Sequence, residues 1–164
     1  MNLKFYLEKL HNSESFKQFV KENPEAYPCS GFFVIDKEGE DSKQHFDYFV
    51  PSLKKMFSFR LENKCEKVPV EMYDERIPEK ISIDNDFDFK DVEKVINEEM
   101  EKNKIKTKIQ KMLFSLQKLE EKDFLVGTVF ISGLGMVKIN INVQDMKVTD
   151  FEKKSFFDIL KRVK

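Results

Sequence analysis

Tryptophan is absent from this chain, and cysteine and histidine occur only twice each. Cys29 and Cys65 are too few and too far apart for a disulfide framework or a zinc knuckle. They read as reduced thiols, which predicts a cytoplasmic protein. His11 and His45 have no partner at a spacing that makes a metal centre or a Ser-His-Asp device. Five glycines and five prolines exclude a collagen-like or low-complexity chain. No apolar run approaches the ~20 residues of a membrane helix. The longest uncharged run, Phe124 to Val137, is shorter than that and carries two glycines near its end. The first residues, MNLKFYLEKLHN, interrupt their apolar pattern with charges, unlike a secretory leader. No membrane partner is therefore expected. Positive charge is not in excess either. A net charge of −1 and a pI near 6.2 argue against broad capture of nucleic acid.

Phenylalanine, in contrast, occurs 17 times. It brings apolar area without a polar tip, so the rings are expected in a core. The length suits one domain, 1–164, with halves 1–83 and 84–164. Leu3, Phe5, Tyr6, Leu7 and Leu10, then Phe16, Phe19 and Val20, have helical spacing, interrupted at Asn12-Ser13 and stopped at Asn23-Pro24. This predicts one kinked helix or two short ones. Cys29 to Asp36 reads as a central strand, apolar on both faces. His45 to Val50 and Met56 to Leu61 alternate as antiparallel strands do. Val68 to Tyr73 reads as an edge strand, because Pro69 cannot donate to a ladder. Ile81 to Ile83 could add a short extended piece.

Asp88 and Asp91 suit the start of a long central helix, 89–119. Phe89, Val92, Val95, Ile96 and Met100 form one stripe. Ile105, Ile109, Met112, Leu113, Leu116 and Leu119 form another. The repeat slips by one residue between Met100 and Ile105, so a kink is expected near Glu101–Lys104. Phe124 to Val143 reads as a hairpin turning at Ser132-Gly133-Leu134-Gly135. Its first strand is expected to be buried on both faces; its second shows Lys138, Asn140 and Asn142 to solvent. Val148 to Phe151 can return as a short strand. Ser155 is expected to cap a short C-terminal helix with Phe156, Phe157, Ile159, Leu160 and Val163. The expected fold class is thus α+β: an antiparallel sheet packed by an N-terminal helix, a long central helix and a short C-terminal helix.

The motifs that resemble chemistry fail on inspection. The acidic stretch Asp84 to Asp91 has Phe89 where a calcium hand needs glycine and Val95 where it needs a bidentate glutamate. Carboxylates at a helix start account for it. Ser132-Gly133-Leu134-Gly135 continues into Met136-Val137, lacking both the Gly-Lys-Ser/Thr of a phosphate loop and the helix of a dinucleotide loop. The run Lys102, Lys104, Lys106, Lys108 and Lys111 could meet phosphates, but no aromatic residue is interleaved for stacking.

The stretch Val137 to Lys153, VKININVQDMKVTDFEK, resembles the hairpin of PepSY-type modules, with Met146 in place of the usual turn glycine. The preceding helix is similar to the one packed on a curved sheet in cystatin-like folds. The element order is also similar to that of small secretion-chaperone folds, which bind extended polypeptides. These resemblances imply a small binding or regulatory module and transfer no catalytic residue.

The sequence therefore predicts a binding protein more readily than an enzyme, with no cofactor, no metal and no catalytic residue to name. Its partner would be another protein or a second copy, met through the edge strand or the exposed part of helix 89–119. A second expectation is a small-molecule or enzymatic cavity between the helices and a Phe-rich curved sheet, lined by His45, Asp47, Tyr48 and Arg60. A lesser one is nucleic-acid contact through Lys104 and Lys108 of the lysine run.

Overall fold

The computed structural model describes residues 1–155 apart from 63, 73 and 74. Two short helices open the chain, α1 (Leu3–His11) and α2 (Glu14–Glu22). Asn2 caps α1 by accepting the Phe5 N–H at 2.9 Å, and Ser13 caps α2 by accepting the Phe16 N–H at 3.1 Å. Each cap satisfies a donor that the first turn leaves without a partner. The break expected at Asn12-Ser13 is thus a new helix start.

Four strands follow: β1 (Tyr27–Asp36), β2 (Lys43–Val50), β3 (Lys55–Arg60) and β4 (Glu66–Val70). Then come α3 (Phe89–Lys102) and strands β5 (Ile109–Leu119), β6 (Lys122–Ile131), β7 (Gly135–Asn142) and β8 (Lys147–Ser155). All eight strands form one antiparallel sheet in the order β4-β3-β2-β1-β5-β6-β7-β8. Each group of four strands runs outward from the middle, where β1 pairs with β5.

The expected long helix does not exist. α3 ends at Lys102, and residues 109–119 are a central strand. The end is built as a Schellman motif. Lys104 takes left-handed backbone (φ 60°), its N–H reaches the Glu101 carbonyl, and the Ile105 N–H reaches the Met100 carbonyl at 2.9 Å. The one-residue slip between Met100 and Ile105 is the apolar pair that closes this motif, and both residues are buried. β5 then imitates a helix because a bulge separates Ile109 from Lys111. An extra residue turns the strand period of two into a spacing of three, from Ile109 to Met112. Beyond it Met112, Phe114 and Leu116 alternate inward, and Leu113 faces the other side.

The three helices cover one face of the sheet. Leu3, Leu7 and Leu10, Phe16 and Phe19, and Val92, Ile96 and Met100 meet Phe33, Phe46, Tyr48, Phe59, Phe114, Leu125 and Ile139 in one buried cluster. The rings pack mostly edge to face, with Phe19 and Phe59 at 5.0 Å and Phe16 and Phe59 at 5.2 Å. At one end of the sheet the segment 77–86 runs across the strand ends. It is held by Ile81 N–H to the Pro28 carbonyl and Ser82 N–H to Asp123 Oδ2. Ile81 to Ile83 belongs to this loop and forms no strand, with Ile81 buried.

Other expectations change in detail. The β6 face bearing Phe124, Val126, Thr128 and Phe130 is half-buried to exposed, so this strand is not dry on both sides. Ser155 closes β8, and the C-terminal helix expected beyond it, residues 156–164, lies outside the described residues. Edge strand β4 ends at Val70, and Tyr73 also lies outside them. Asp88 caps α3 as expected, accepting the Lys90 N–H at 2.8 Å. Asp86 has a role the sequence did not suggest. It accepts the Lys4 N–H at 2.9 Å and an Asn2 amide hydrogen at 3.1 Å, joining the starts of α1 and α3.

Candidate functional site

Strand alternation decides which side chains reach the face without helices. Register places Phe32, His45 and Arg60 in one cross-strand row, and Ser30, Asp47 and Ser58 in the next. Phe32 and His45 stack with centroids 5.1 Å apart and planes 22° apart. The His45 Nε2 stands 3.8 Å from Asp47 Oδ1. Ser30 Oγ donates to Asp47 Oδ2 at 2.7 Å, and the Cys29 thiol donates to the Asp47 carbonyl at 3.4 Å. Asp47 Oδ1 is buried and accepts no hydrogen bond. Among the described residues, the ion-pairing side chain set against it is the His45 imidazole.

A cleft of about 450 Å³ opens beside this row, lined by Phe32, Lys43, His45, Arg60, Glu62 and Glu66. Lys43 is engaged by Asp41 at 3.3 Å, and Glu62 accepts the Gln44 N–H at 3.2 Å. Arg60 is exposed and has no ion-pair partner among the described residues. The structure thus brings together His45, Asp47 and Arg60.

Tyr48 does not join them. It points to the opposite face, with its ring 5.1 Å from Phe16 and 5.8 Å from Phe59. Burial pushes its phenol well above the ordinary value. The cleft also lies outside the sheet, whereas the expected cavity lay between sheet and helices. Lys104 and Lys108 do not line it. They occupy the exposed connection from α3 to β5 and no helix face.

The chemistry of the His45 row is limited by its order. Asp47 stands between Ser30 and His45, so the serine hydroxyl meets a carboxylate and not an imidazole base, which a serine nucleophile requires. Burial, and then the charge of Asp47, pushes the Cys29 thiol up to about 12. A thiol so protonated is neither nucleophile nor metal ligand at neutral pH. Among the described residues, no three His, Cys, Asp or Glu side chains converge where they could hold a metal ion. What the row offers is an aromatic face, a guanidinium and an imidazole–carboxylate pair for hydrogen bonding.

Further along the same face, β5 presents Leu113, Ser115 and Gln117, and β6 presents Phe124, Val126, Thr128 and Phe130. With Phe32 they form an uncharged stripe across the three central strands, flanked by Lys138, Asp150 and Glu152 on β7 and β8. Most of these residues are half-buried, and Phe130 is 36% exposed. Reading β5 as helix hid this stripe. The alternation of Met112, Phe114 and Leu116 was the signal that reveals it.

No family model matches the chain, and no curated protein matches its sequence. Among solved structures it is similar to a "putative lipoprotein" from Clostridium difficile 630. The TM-score is 0.59 at 11% identity, with 86% of this chain and 91% of that one covered. At that identity the likeness concerns the fold. No helix of the described residues is long and apolar enough to cross a membrane.

Proposed function

We propose that this chain is a non-enzymatic binding module that takes a partner protein on the outer face of its sheet. The carrying observation is the one-sided placement of the helices. It leaves an uncharged stripe from Phe32 through Leu113 to Val126 half-open to solvent, with charged residues at its margins. An apolar centre with a polar rim is the anatomy of a protein interface. The PepSY-like hairpin supports the same reading. A cytoplasmic setting rests on the two free thiols, Cys29 and Cys65.

The edges are less inviting. β4 carries Pro69, and β8 carries Lys147, Lys153 and Lys154; proline and lysine are the devices that discourage strand addition. The test is capture by the purified full chain from native lysate, followed by the double substitution Leu113→Lys and Val126→Glu. Loss of capture with an unchanged circular dichroism spectrum supports the face. Capture that survives the double variant, or a protein that stays monomeric and captures nothing, sinks the reading.

The cleft at His45 and Arg60 favours a second reading, a small polar molecule seated against the Phe32–His45 stack. Its volume falls within the range of small-molecule sites. Arg60→Ala would then weaken binding of an anionic fragment found by ligand-observed NMR, while Tyr48→Phe would not.

A further inference from the structure

Two motifs that are separate in the sequence meet at one corner of the molecule. The lysine-rich connection between α3 and β5 lies against the β6–β7 turn. Ser132 N–H donates to the Lys108 carbonyl at 2.9 Å, and Lys108 N–H donates to Ser132 Oγ at 3.1 Å. These two bonds fix Lys108 against the turn that bears Gly133-Leu134, and Lys104 and Lys106 precede it on the same short connection. All three lysines are exposed, and none has an ion-pair partner among the described residues. Lys153 and Lys154 end the adjoining strand: β8 reaches this corner where Ser155 pairs with Gly135. Of the acids nearby, exposed Glu101 has no ion-pair partner among the described residues and offsets one of these lysines, while two others are engaged. Glu99 faces Lys102 at 3.8 Å, and Glu152 faces Lys154 at 3.8 Å.

Leu134 is the second observation. It is 64% exposed at the tip and takes left-handed backbone, φ 59°. Glycine or asparagine takes that conformation more cheaply, since a leucine Cβ crowds the following carbonyl there. It buries little, so neither folding nor solubility accounts for it. Phe130 and Met136, paired across the base of the hairpin, extend the apolar tip onto the outer face.

An exposed aliphatic tip ringed by unpaired lysines suits a surface that is anionic outside and apolar just beneath. We propose that this corner is a peripheral contact for an anionic lipid surface. The lysines meet headgroup phosphates and carboxylates, and Leu134 enters the boundary between headgroups and acyl chains. Nucleic acid shares the charge requirement, but it calls for aromatic platforms or groove-reading donors, and the tip offers an aliphatic side chain. The chain's near-neutral total does not oppose this, because such attraction acts within a Debye length of the local charges.

The test is co-sedimentation of the full chain with two kinds of vesicle: phosphatidylcholine alone, and phosphatidylcholine mixed with phosphatidylserine. Binding is expected to the mixed vesicles only and to fall as salt rises. Replacing Lys104, Lys106 and Lys108 together by glutamine should weaken it roughly a hundredfold, at about 1 kcal/mol per lysine near the surface. Leu134→Asn keeps a residue that tolerates the turn and should weaken binding roughly tenfold without changing its salt dependence. Circular dichroism melts establish that both variants fold. Equal binding to both vesicles, none at low salt, or unchanged binding by either variant overturns the proposal. So does competition by single-stranded RNA that Leu134→Asn leaves unaltered, since that marks a polyanion site without an apolar component.

Discussion

Gly127 stands in the middle of β6 between Phe114 on one side and Ile139 on the other. Its backbone is ordinary strand, so alanine meets no conformational barrier. Space is the difficulty. A Cβ at this position would lie 2.9 Å from two carbons of the Phe114 ring and 3.1 Å from Ile139 Cγ2. Both neighbours are about 1% exposed. Phe114 cannot withdraw freely, because the Phe89 ring sits beyond it with centroids 6.0 Å apart. Forcing a methyl into such a core costs about 1–3 kcal/mol. The stiffer unfolded chain returns about 0.4–1 kcal/mol. Gly127→Ala is therefore expected to destabilise by about 1–2 kcal/mol, lowering Tm by roughly 2–4 °C per kcal/mol. Urea unfolding followed by circular dichroism reads this as a lower midpoint at unchanged slope. Phe114→Leu removes the ring carbons in question. In the double variant the two costs should fail to add by at least about 0.5 kcal/mol. A midpoint that rises in Gly127→Ala, or a cycle that adds, would refute this account of the β5–β6 contact.

The Asp123 side chain is 7% exposed, pairs with Lys118 at 3.2 Å and receives the Ser82 N–H. Asp123→Ala strands that donor and that ammonium, and about 3 kcal/mol of stability should be lost in the same urea assay. Cys29 gives a pH dependence. Its thiol ordinarily ionises near 9.0 and in the fold near 12. Between these values the unfolded chain holds fewer protons, so stability falls as pH rises, by at most about 1.4 kcal/mol per pH unit from this group. Cys29→Ala should flatten the decline between pH 9 and 10, leaving the shares of half-buried Cys65 and of Tyr48, which burial also raises. An unchanged decline would show that Cys29 ionises freely in the fold. Thiol titration at neutral pH should find Cys65 reacting well before Cys29; simultaneous reaction would contradict the burial of Cys29.

Much of the strand content is visible in the sequence because these strands have a dry face and a wetter one. The alternation of Phe46, Tyr48 and Val50, or of Val137, Ile139 and Ile141, is simple period two. Residues 100–112 defeat that reading for two local reasons. The Schellman closure places apolar residues five apart, at Met100 and Ile105. The bulge places them three apart, at Ile109 and Met112. Together they extend a helical rhythm across a helix end and into a strand. Of the lysines in this stretch, read as a basic run on the helix, Lys104, Lys106 and Lys108 are exposed loop residues, whereas Lys102 ends α3 and Lys111 lies in β5. At the site, spacing within β2 put His45 and Asp47 on one face correctly. Tyr48 was drawn in by proximity in sequence, although alternation sends it to the helices. Arg60 is among the expected lining residues, but Phe32 is not: it comes from neighbouring β1, and register between strands is not written in either strand alone.

The arrangement of the two halves limits which surfaces remain for binding. β1 and β5 pair at the centre, so each half adds its strands outward and ends on an edge, β4 or β8. The helices precede β1 and β5 in the chain and lie on the same face, which commits that face to the core. Each edge ends in residues that oppose strand addition, Pro69 on one side and a lysine-rich strand on the other. A partner is left with the outer face or with the connections at the strand ends. At one end, the segment 77–86 covers the ends of β1 and β6 and ties itself to Pro28 and Asp123. The opposite end carries the lysine connection and the Leu134 turn. The uncharged stripe opens toward that end, since Phe130 pairs with Met136 at the base of the same hairpin. Face and corner are therefore continuous. A partner held against the face at an anionic surface would meet both at once, and two modest contacts on one rigid sheet gain from being joined.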